Sequence, residues 1–127
     1  MADDEPTFSI PQRPTRRYRR RGGIEYEGET VFSLRSAREV DDRSLTESVE
    51  SILERRPYRY GDWSDLPMPL YLVHDDETGD TFRVAVRDGA VQLHVLPETG
   101  RAGLRAFYDR LTANSEAAPW TVTCRTG

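Results

Sequence analysis

The chain has 127 residues and a net charge of −4; 36% of its residues are hydrophobic, 31% are charged, and arginine replaces lysine throughout. This length fits a single domain with a modest core. The lone cysteine excludes an intramolecular disulfide and a cysteine-based zinc site, and no apolar run approaches the roughly 18 residues that a membrane-spanning helix needs.

Positive and negative charges are segregated along the chain. Residues 1–10 hold three acids, residues 11–21 hold six arginines and no acid, and residues 22–127 hold 12 arginines against 19 acids. The basic segment has almost nothing to bury, so it cannot offset the entropy that it would lose on ordering. We therefore predict a disordered arginine-rich arm over residues 1–22 and a single small domain over residues 23–127.

The basic segment does not introduce an export signal. Arginines 19–21 are followed by Gly-Gly-Ile-Glu-Tyr-Glu at residues 22–27, whereas a secretory or twin-arginine signal requires an apolar segment there. We therefore expect a cytoplasmic protein with no membrane association.

The first part of the domain predicts a hairpin followed by a helix. Ile24–Tyr26 and Val31–Leu34 flank a glycine-containing turn, as in a short β-hairpin. Ser44 and Glu47 have the spacing of a capping box, and Pro57 ends the helix that they begin. The apolar face of this helix consists of Leu45, Val49, Ile52 and Leu53.

Three strands are predicted next, at Leu70–Val73, Thr81–Val86 and Val91–Leu96. The last two flank Asp88-Gly89, a dipeptide that accepts the positive φ angles of a type I′ turn. This turn specifies a register in which the numbers of paired residues sum to 177. On one side of the sheet, Phe82, Val84 and Val86 then face Val95, Leu93 and Val91.

A second helix and a last strand complete the predicted fold. Thr99 caps the helix, whose apolar face consists of Leu104, Phe107, Tyr108 and Leu111. Trp120, Val122 and Cys124 then alternate with polar residues as in a strand, which makes Cys124 an inert buried thiol. The element order is ββ-α-βββ-α-β. An α+β fold, with an antiparallel sheet and two helices packed on one face, buries every apolar stripe.

The face of the sheet opposite the helices is predicted to be half apolar. Its apolar residues are Leu70, Leu72, Ala85 and Leu96. The predicted hairpin of residues 24–34, the C-terminal strand or another subunit would cover part of such a face. These four residues therefore define an alternative function, a protein-interaction or dimerisation surface.

The basic arm is the first candidate binding site. Guanidinium groups match phosphate oxygens, and a tyrosine ring stacks on a base. The candidate nucleic-acid-binding residues of the arm are Arg13, Arg16, Arg17, Tyr18, Arg19, Arg20 and Arg21. The alternatives are a tail that binds an acidic protein and a solubilising tail with no specific partner.

The segment after the first helix is the second candidate. It interleaves arginines with aromatic residues, a pattern typical of sites that hold phosphates and stack bases. Its candidate nucleic-acid-binding residues are Arg55, Arg56, Tyr58, Arg59 and Tyr60. The alternative is that the aromatic residues, Trp63 among them, cover the edge of a small core. Nearby Asp62 and Asp65 weaken the nucleic-acid interpretation.

Two resemblances bear on these candidates. The lysine-free, acid-rich composition resembles that of small proteins from high-GC organisms, especially salt-adapted archaea, with high-GC bacteria as the alternative. This resemblance implies a habitat but no activity. The order α-β-β-β-α over residues 44–113 resembles the double-stranded-RNA-binding domain, which implies RNA binding. Two of that family's motifs are missing: Arg101 and Arg105 replace its lysine cluster, and the acidic Asp75–Asp80 turn replaces its Gly-Pro-x-His loop.

No motif for catalysis or for a metal is evident. The sequence contains no Gly-x-Ser-x-Gly, Walker or Gly-x-Gly-x-x-Gly motif. The turn His74–Asp80 lacks the spacing of a calcium loop, and His74 and His94 lack the spacing of a zinc site. We therefore predict a non-enzymatic binding or accessory protein without metal or cofactor. Nucleic acid is the favoured partner, and a protein or a second copy is the alternative.

Overall fold

The computed structural model describes residues 7–18, 20, 22–62, 70–113 and 119–126. In chain order its elements are β1 (Thr15–Tyr18), β2 (Ile24–Glu27), β3 (Thr30–Ser36), α1 (Asp42–Leu53), β4 (Tyr58–Asp62), β5 (Leu70–Asp75), β6 (Thr81–Arg87), β7 (Ala90–Val95), α2 (Arg101–Ala113) and β8 (Trp120–Thr126). Six strands form an antiparallel sheet in the order β4-β5-β6-β7-β3-β8, and β1 pairs with β2 in a separate two-stranded sheet.

Both helices pack on one face of the six-stranded sheet, which confirms the predicted α+β fold. The buried residues of α1 are Leu45, Val49, Ile52 and Leu53, which form the predicted stripe. The buried side chains of α2 include Leu104, Phe107 and Leu111. The ring centroids of Phe107 and Phe82, on α2 and β6, lie 5.9 Å apart. These side chains belong to one hydrophobic core. No helix in the described part of the chain is long and apolar enough to cross a membrane.

The hairpin of β6 and β7 has the predicted register. Phe82, Val84 and Val86 pair with Val95, Leu93 and Val91. At the turn, Asp88 and Gly89 have φ angles of 52° and 75°, the left-handed values that a type I′ turn requires at both central positions. The turn dipeptide therefore indicates the pairing of the whole hairpin.

The predicted hairpin between Ile24–Tyr26 and Val31–Leu34 is wrong. β2 pairs with β1, and β3 lies inside the six-stranded sheet between β7 and β8. β3 contributes the buried side chains of Val31, Phe32 and Leu34. A strand this apolar gains more from a central position, where neighbours cover it, than from an isolated hairpin.

The structure places part of the predicted disordered arm on the folded domain. β1 lies within residues 1–22, and Phe8 is only 2% exposed. The ring of Phe8 packs against those of Phe32 and Tyr108, at centroid distances of 5.2 and 5.5 Å. The burial of one aromatic ring and the pairing with β2 offset the entropic cost of ordering this segment. The polar residues of the segment could not offset that cost by themselves. Residues 1–6, 19 and 21 of the predicted arm lie outside the described residues.

Both helices begin differently from the predicted caps. Asp41 replaces Ser44 as the N-cap of α1: its Oδ1 accepts the N–H of Ser44 at 2.8 Å, and this hydrogen bond lowers the pKa of Asp41. At α2, Asp80 Oδ2 accepts the N–H of Gly103 at 2.7 Å. The hydroxyl of Thr99 instead donates to a carbonyl of β6 at 2.6 Å. A cap supplied by the β5–β6 turn has no local sequence signal.

The segment after α1 contains an additional strand, β4. It pairs antiparallel with β5 and forms one edge of the large sheet. Four strands therefore separate the two helices, whereas the double-stranded-RNA-binding domain has three. Trp63 and Asp65, which belong to the same predicted linker, lie outside the described residues.

Cys124 lies on β8, the other edge of the sheet, and it is exposed, so the predicted burial of this thiol is wrong. It pairs with Phe32 and so lies on the helix side, as its alternation with Val122 predicts. The hydrophobic core extends along β8 to Trp120 and Val122 and no further in the described residues. Partial desolvation still raises the pKa of the Cys124 thiol.

Candidate functional site

We define the N-terminal hairpin as β1, β2 and residues 19–23, which connect the two strands in the chain and which we call the tip. It contains five of the six arginines of the predicted basic arm. Its register pairs Tyr18 with Ile24, next to the tip. Gly22 and Gly23 have φ angles of 89° and 92°, which glycine adopts without a steric penalty. β1 and β2 are separate from the six-stranded sheet. The hairpin is therefore a two-stranded ribbon.

Several side chains that the sequence predicts as contacts are exposed on this hairpin. Tyr18 has 77% of its surface exposed. Arg17 and Arg20 are also exposed. Arg16 lies on β1 between Thr15 and Arg17, and the remaining predicted residues, Arg19 and Arg21, lie outside the described part of the chain.

In the sequence, the excess of positive charge belongs to β1 and the tip. Five arginines belong to residues 15–23, whereas β2 contributes Glu25 and Glu27. In the register, Glu25 stands opposite Arg17. The hairpin therefore has a basic strand and a basic tip, and its second strand is acidic.

Arg13 has a structural contact that separates it from the other predicted arm residues. Its Nε and Nη2 atoms donate to the carbonyl of Thr99 at 3.2 and 2.9 Å. Nearby, the hydroxyl of Thr30 donates to the carbonyl of Gln12 at 2.7 Å. These contacts fasten the base of the N-terminal hairpin to the domain, so the guanidinium of Arg13 positions the hairpin.

All three predicted residues on β4 contact other parts of the domain. Tyr58 is buried, its ring lies 6.0 Å from that of Phe107, and burial raises the pKa of its hydroxyl. Arg59 donates from Nε and Nη2 to Asp76 Oδ1, at 3.1 and 2.8 Å. Tyr60 is 37% exposed, and its ring lies 5.8 Å from that of Tyr71 on β5. The interpretation that aromatic residues of this segment cover the core therefore holds for Tyr58.

Arg55 and Arg56 line a cavity near the C-terminal ends of both helices. We call it the arginine cavity; its volume is about 330 Å³, and its described lining consists of Ile52, Arg55, Arg56, Arg110 and Ala113. Among the described residues, neither Arg55 nor Arg56 has a carboxylate within 4.0 Å of its guanidinium. Arg110 comes from the last turn of α2 and is not among the binding residues predicted from the sequence.

Arg110 is held in place by four contacts. Its Nη1 donates to the Tyr58 hydroxyl at 2.7 Å, and its guanidinium lies over the Tyr58 ring, 5.2 Å from the centroid. Its Nη2 donates to Glu77 Oε1 at 3.4 Å, and its Nη1 lies 3.9 Å from Oδ2 of the buried Asp75. Burial opposes the charged form, but the Tyr58 hydrogen bond and the two carboxylates raise the pKa of Arg110 overall. The group is a permanent cation with a defined position.

The face of the sheet opposite the helices is partly buried. Of the four predicted interface residues, Ala85 and Leu96 are buried, Leu70 is half-buried and Leu72 is 38% exposed. Of these four side chains, only that of Leu72 therefore presents a large apolar surface to a partner.

The N-terminal segment lies beside this face, although the predicted cover was a hairpin between residues 24–26 and 31–34. A cavity of about 190 Å³ lies between the base of the N-terminal hairpin and strands β6 and β7. Its lining consists of Pro14, Gly28, Glu29, Thr30, Arg83, His94, Val95 and Leu96. Burial lowers the pKa of His94, with the carboxylate of Glu29 opposing this effect and Arg125 and Arg83 adding to it.

The acidic turn between β5 and β6 is held together by its own hydrogen bonds. Asp75 Oδ1 accepts the N–H groups of Glu77 and Thr78, at 2.8 and 3.2 Å. His74 Nδ1 lies 2.9 Å from the hydroxyl of Thr81. In the described ranges, no group of three or more histidine, cysteine, aspartate or glutamate side chains is arranged to hold a metal ion.

Comparisons with protein-family models, with curated proteins and with solved structures find no match to this chain. In the described part of the chain, the candidate surfaces from the predicted site residues are the N-terminal hairpin, the arginine cavity and the exposed side chain of Leu72.

Proposed function

We propose that this protein binds nucleic acid through the N-terminal hairpin. The observation that carries the proposal is a two-stranded ribbon, separate from the main sheet, on which Arg17, Tyr18 and Arg20 are exposed. A two-stranded ribbon is narrow enough to enter the major groove of a DNA duplex. Its arginines can pair with phosphate oxygens, and an exposed tyrosine can stack on an unpaired base.

The distribution of charge supports the same contact surface. Residues 11–21 carry six positive charges and no negative ones, whereas residues 22–127 have seven more acids than arginines. Phosphates attract the first group and repel the second. A nucleic acid is therefore directed toward the basic strand and tip of the hairpin and away from most of the domain.

The anchored base of the hairpin also favours binding. Phe8 packs in the core, and Arg13 is tied to the carbonyl of Thr99 before any ligand arrives. A segment that is ordered before binding loses less conformational entropy on association than a tail that becomes ordered only on the ligand.

The test exchanges the three arginines of the tip for glutamine in the full chain: R19Q, R20Q and R21Q. Deletion of the whole arm is unsuitable because it also removes Phe8 from the core. A matched control makes the same change in charge at three exposed arginines of the domain: R38Q, R43Q and R87Q.

Fluorescence anisotropy with a short DNA duplex, and with one of its single strands, compares the three proteins. We expect the tip variant to lose at least about tenfold in affinity, since each lost charge-assisted contact contributes about 1 kcal/mol or more. The control should stay within about twofold of the unchanged chain. Equal losses in the two variants, or no binding by the unchanged chain, would contradict the proposal.

A second candidate function rests on the exposure of Leu72. A leucine on a sheet face with 38% of its surface in solvent is a suitable centre for a small protein contact. If this face holds a second copy of the chain, L72E lowers the molar mass measured by light scattering. A monomer before and after the substitution removes self-association through Leu72.

A further inference from the structure

We infer that the arginine cavity is a binding site for a phosphate monoester, the group carried by free nucleotides and by phosphorylated strand ends. The site is distinct from the N-terminal hairpin, and the inference does not depend on the proposed function. It rests on the position, charge and size of the cavity described above.

The charges around the cavity leave two cations uncompensated among the described residues. Arg110 lies next to Glu77 and Asp75, which offset its charge. Arg55 and Arg56 are exposed and have no carboxylate in ion-pair range in the described chain. In an acid-rich protein, two adjacent arginines that form no ion pair among the described residues make a local positive site, although Glu54 precedes them in the chain. A phosphate monoester carries about −1.5 to −2 charges at neutral pH and matches it.

The geometry of Arg110 gives the site a rigid wall. The Tyr58 hydroxyl, the Tyr58 ring and Glu77 hold this guanidinium in one position. Arg55 and Arg56 come from the connection after α1 and approach the cavity from the other helix. One fixed and two adjustable guanidinium groups can donate to several oxygens of one phosphate.

The size and lining of the cavity suit a small organic phosphate better than a bare ion. Its volume of about 330 Å³ lies at the lower end of the range of small-molecule sites, which starts at about 300 Å³. Ile52 and Ala113 supply apolar lining beside the arginines. A ligand with a charged head and a compact ring or sugar therefore fits the combination.

A purely structural role makes a different prediction. Cations near the C-terminal end of a helix stabilise it, and both helices end close to this cavity. If that is their only role, glutamine at Arg55 and Arg56 lowers thermal stability and the chain has no affinity for phosphate monoesters. Binding and melting experiments on the same variant therefore separate the two roles.

The experiment is isothermal titration calorimetry of the full chain with adenosine 5′-monophosphate, and with adenosine as the ligand without phosphate. The variant is R55Q/R56Q, and the control R38Q/R43Q removes two exposed arginines elsewhere. We expect saturable binding of the monophosphate, at least about tenfold weaker binding of adenosine, and a loss of about tenfold for each arginine removed at the cavity. The control and the tip variant R19Q/R20Q/R21Q should retain the affinity within about twofold.

A second titration distinguishes the source of the phosphate. A short single strand with a 5′-phosphate and the same strand with a 5′-hydroxyl are compared by anisotropy in the R19Q/R20Q/R21Q background. A preference for the phosphorylated strand assigns the site to strand ends, and equal binding of the two assigns it to free nucleotides. Equal affinity for adenosine and its monophosphate, or equal losses in R55Q/R56Q and its control, would overturn the inference.

Discussion

Replacement of Gly103 by alanine tests how the sheet holds α2. A Cβ at this position would lie 2.6 Å from Asp80 Cβ and 2.7 Å from Asp80 Oδ2, closer than real Cβ contacts. The same Oδ2 accepts the N–H of Gly103 at 2.7 Å. Because the contact includes the Cβ of Asp80, rotation of its carboxylate alone cannot relieve it. G103A must therefore move the β5–β6 turn or the first turn of α2.

The expected magnitude is a balance of three effects. Alanine is favoured over glycine within a helix by about 1 kcal/mol. Overpacking costs about 1–3 kcal/mol, and loss of the capping hydrogen bond costs about 1 kcal/mol. We therefore expect G103A to reduce the free energy of unfolding by about 1–3 kcal/mol. This reduction corresponds to a fall in Tm of roughly 4–10 °C for a chain of this size.

Thermal unfolding followed by circular dichroism measures this change, and a second background supplies the control. D80G removes every Asp80 atom that the new methyl group would meet. In that background G103A should be neutral or stabilising by up to about 1 kcal/mol, because only helix propensity remains. An unchanged or higher Tm for G103A beside the native Asp80 would refute the described docking of α2.

Three further predictions concern other parts of the molecule. F8A should lower the free energy of unfolding by about 3 kcal/mol, because Phe8 is buried against Phe32 and Tyr108. A denaturant titration measures this loss, and an unchanged free energy would mean that the arm is detached from the domain. Burial lowers the pKa of His94, so its side chain binds a proton more readily in the unfolded chain than in the folded one. The stability that His94 contributes is therefore present above pH 6.5 and declines below it. H94Q should flatten that acid limb in melts taken across pH, and an identical limb would exclude His94 as its source. The thiol of Cys124 should react with a disulfide reagent without denaturant, because the side chain is exposed. Because its pKa is raised, the rate should increase as the pH rises. Protection of the thiol in the folded state would contradict the position of β8.

Local signals in the sequence predict the parts of the fold that depend on neighbouring residues. Asp88-Gly89 predicts the register of the β6–β7 hairpin because a two-residue turn determines the pairing of its flanks. The stripe from Leu45 to Leu53 predicts the buried face of α1 because helical spacing alone determines which side chains share a face.

Contacts between distant segments have no such local signal. Asp80 caps α2 from a turn 23 residues upstream of Gly103. Arg110 and Tyr58 are 52 residues apart, so the position of Arg110 at the arginine cavity depends on the packing of β4 beside α2. The alternation of arginine and tyrosine after α1 is compatible with both an edge strand and a binding linker, since both place alternate residues on opposite sides.

The composition also conceals the position of the N-terminal segment. Its arginines and prolines predict disorder, but a single buried ring at Phe8 and the contact of Arg13 with Thr99 attach it to the domain. The candidate surface thereby changes from a free tail to a hairpin with an anchored base.

The dependence of duplex binding on salt tests the central claim, nucleic-acid binding through the hairpin, most directly. Each phosphate contact on B-DNA contributes about −0.9 to the slope of log K against log salt concentration. If Arg19, Arg20 and Arg21 each contact a phosphate, R19Q/R20Q/R21Q should reduce the steepness of that slope by about 2.7, and R38Q/R43Q/R87Q should leave it unchanged. The same slope in all three proteins would show that Arg19, Arg20 and Arg21 make no phosphate contact, which contradicts the proposed binding through the basic tip.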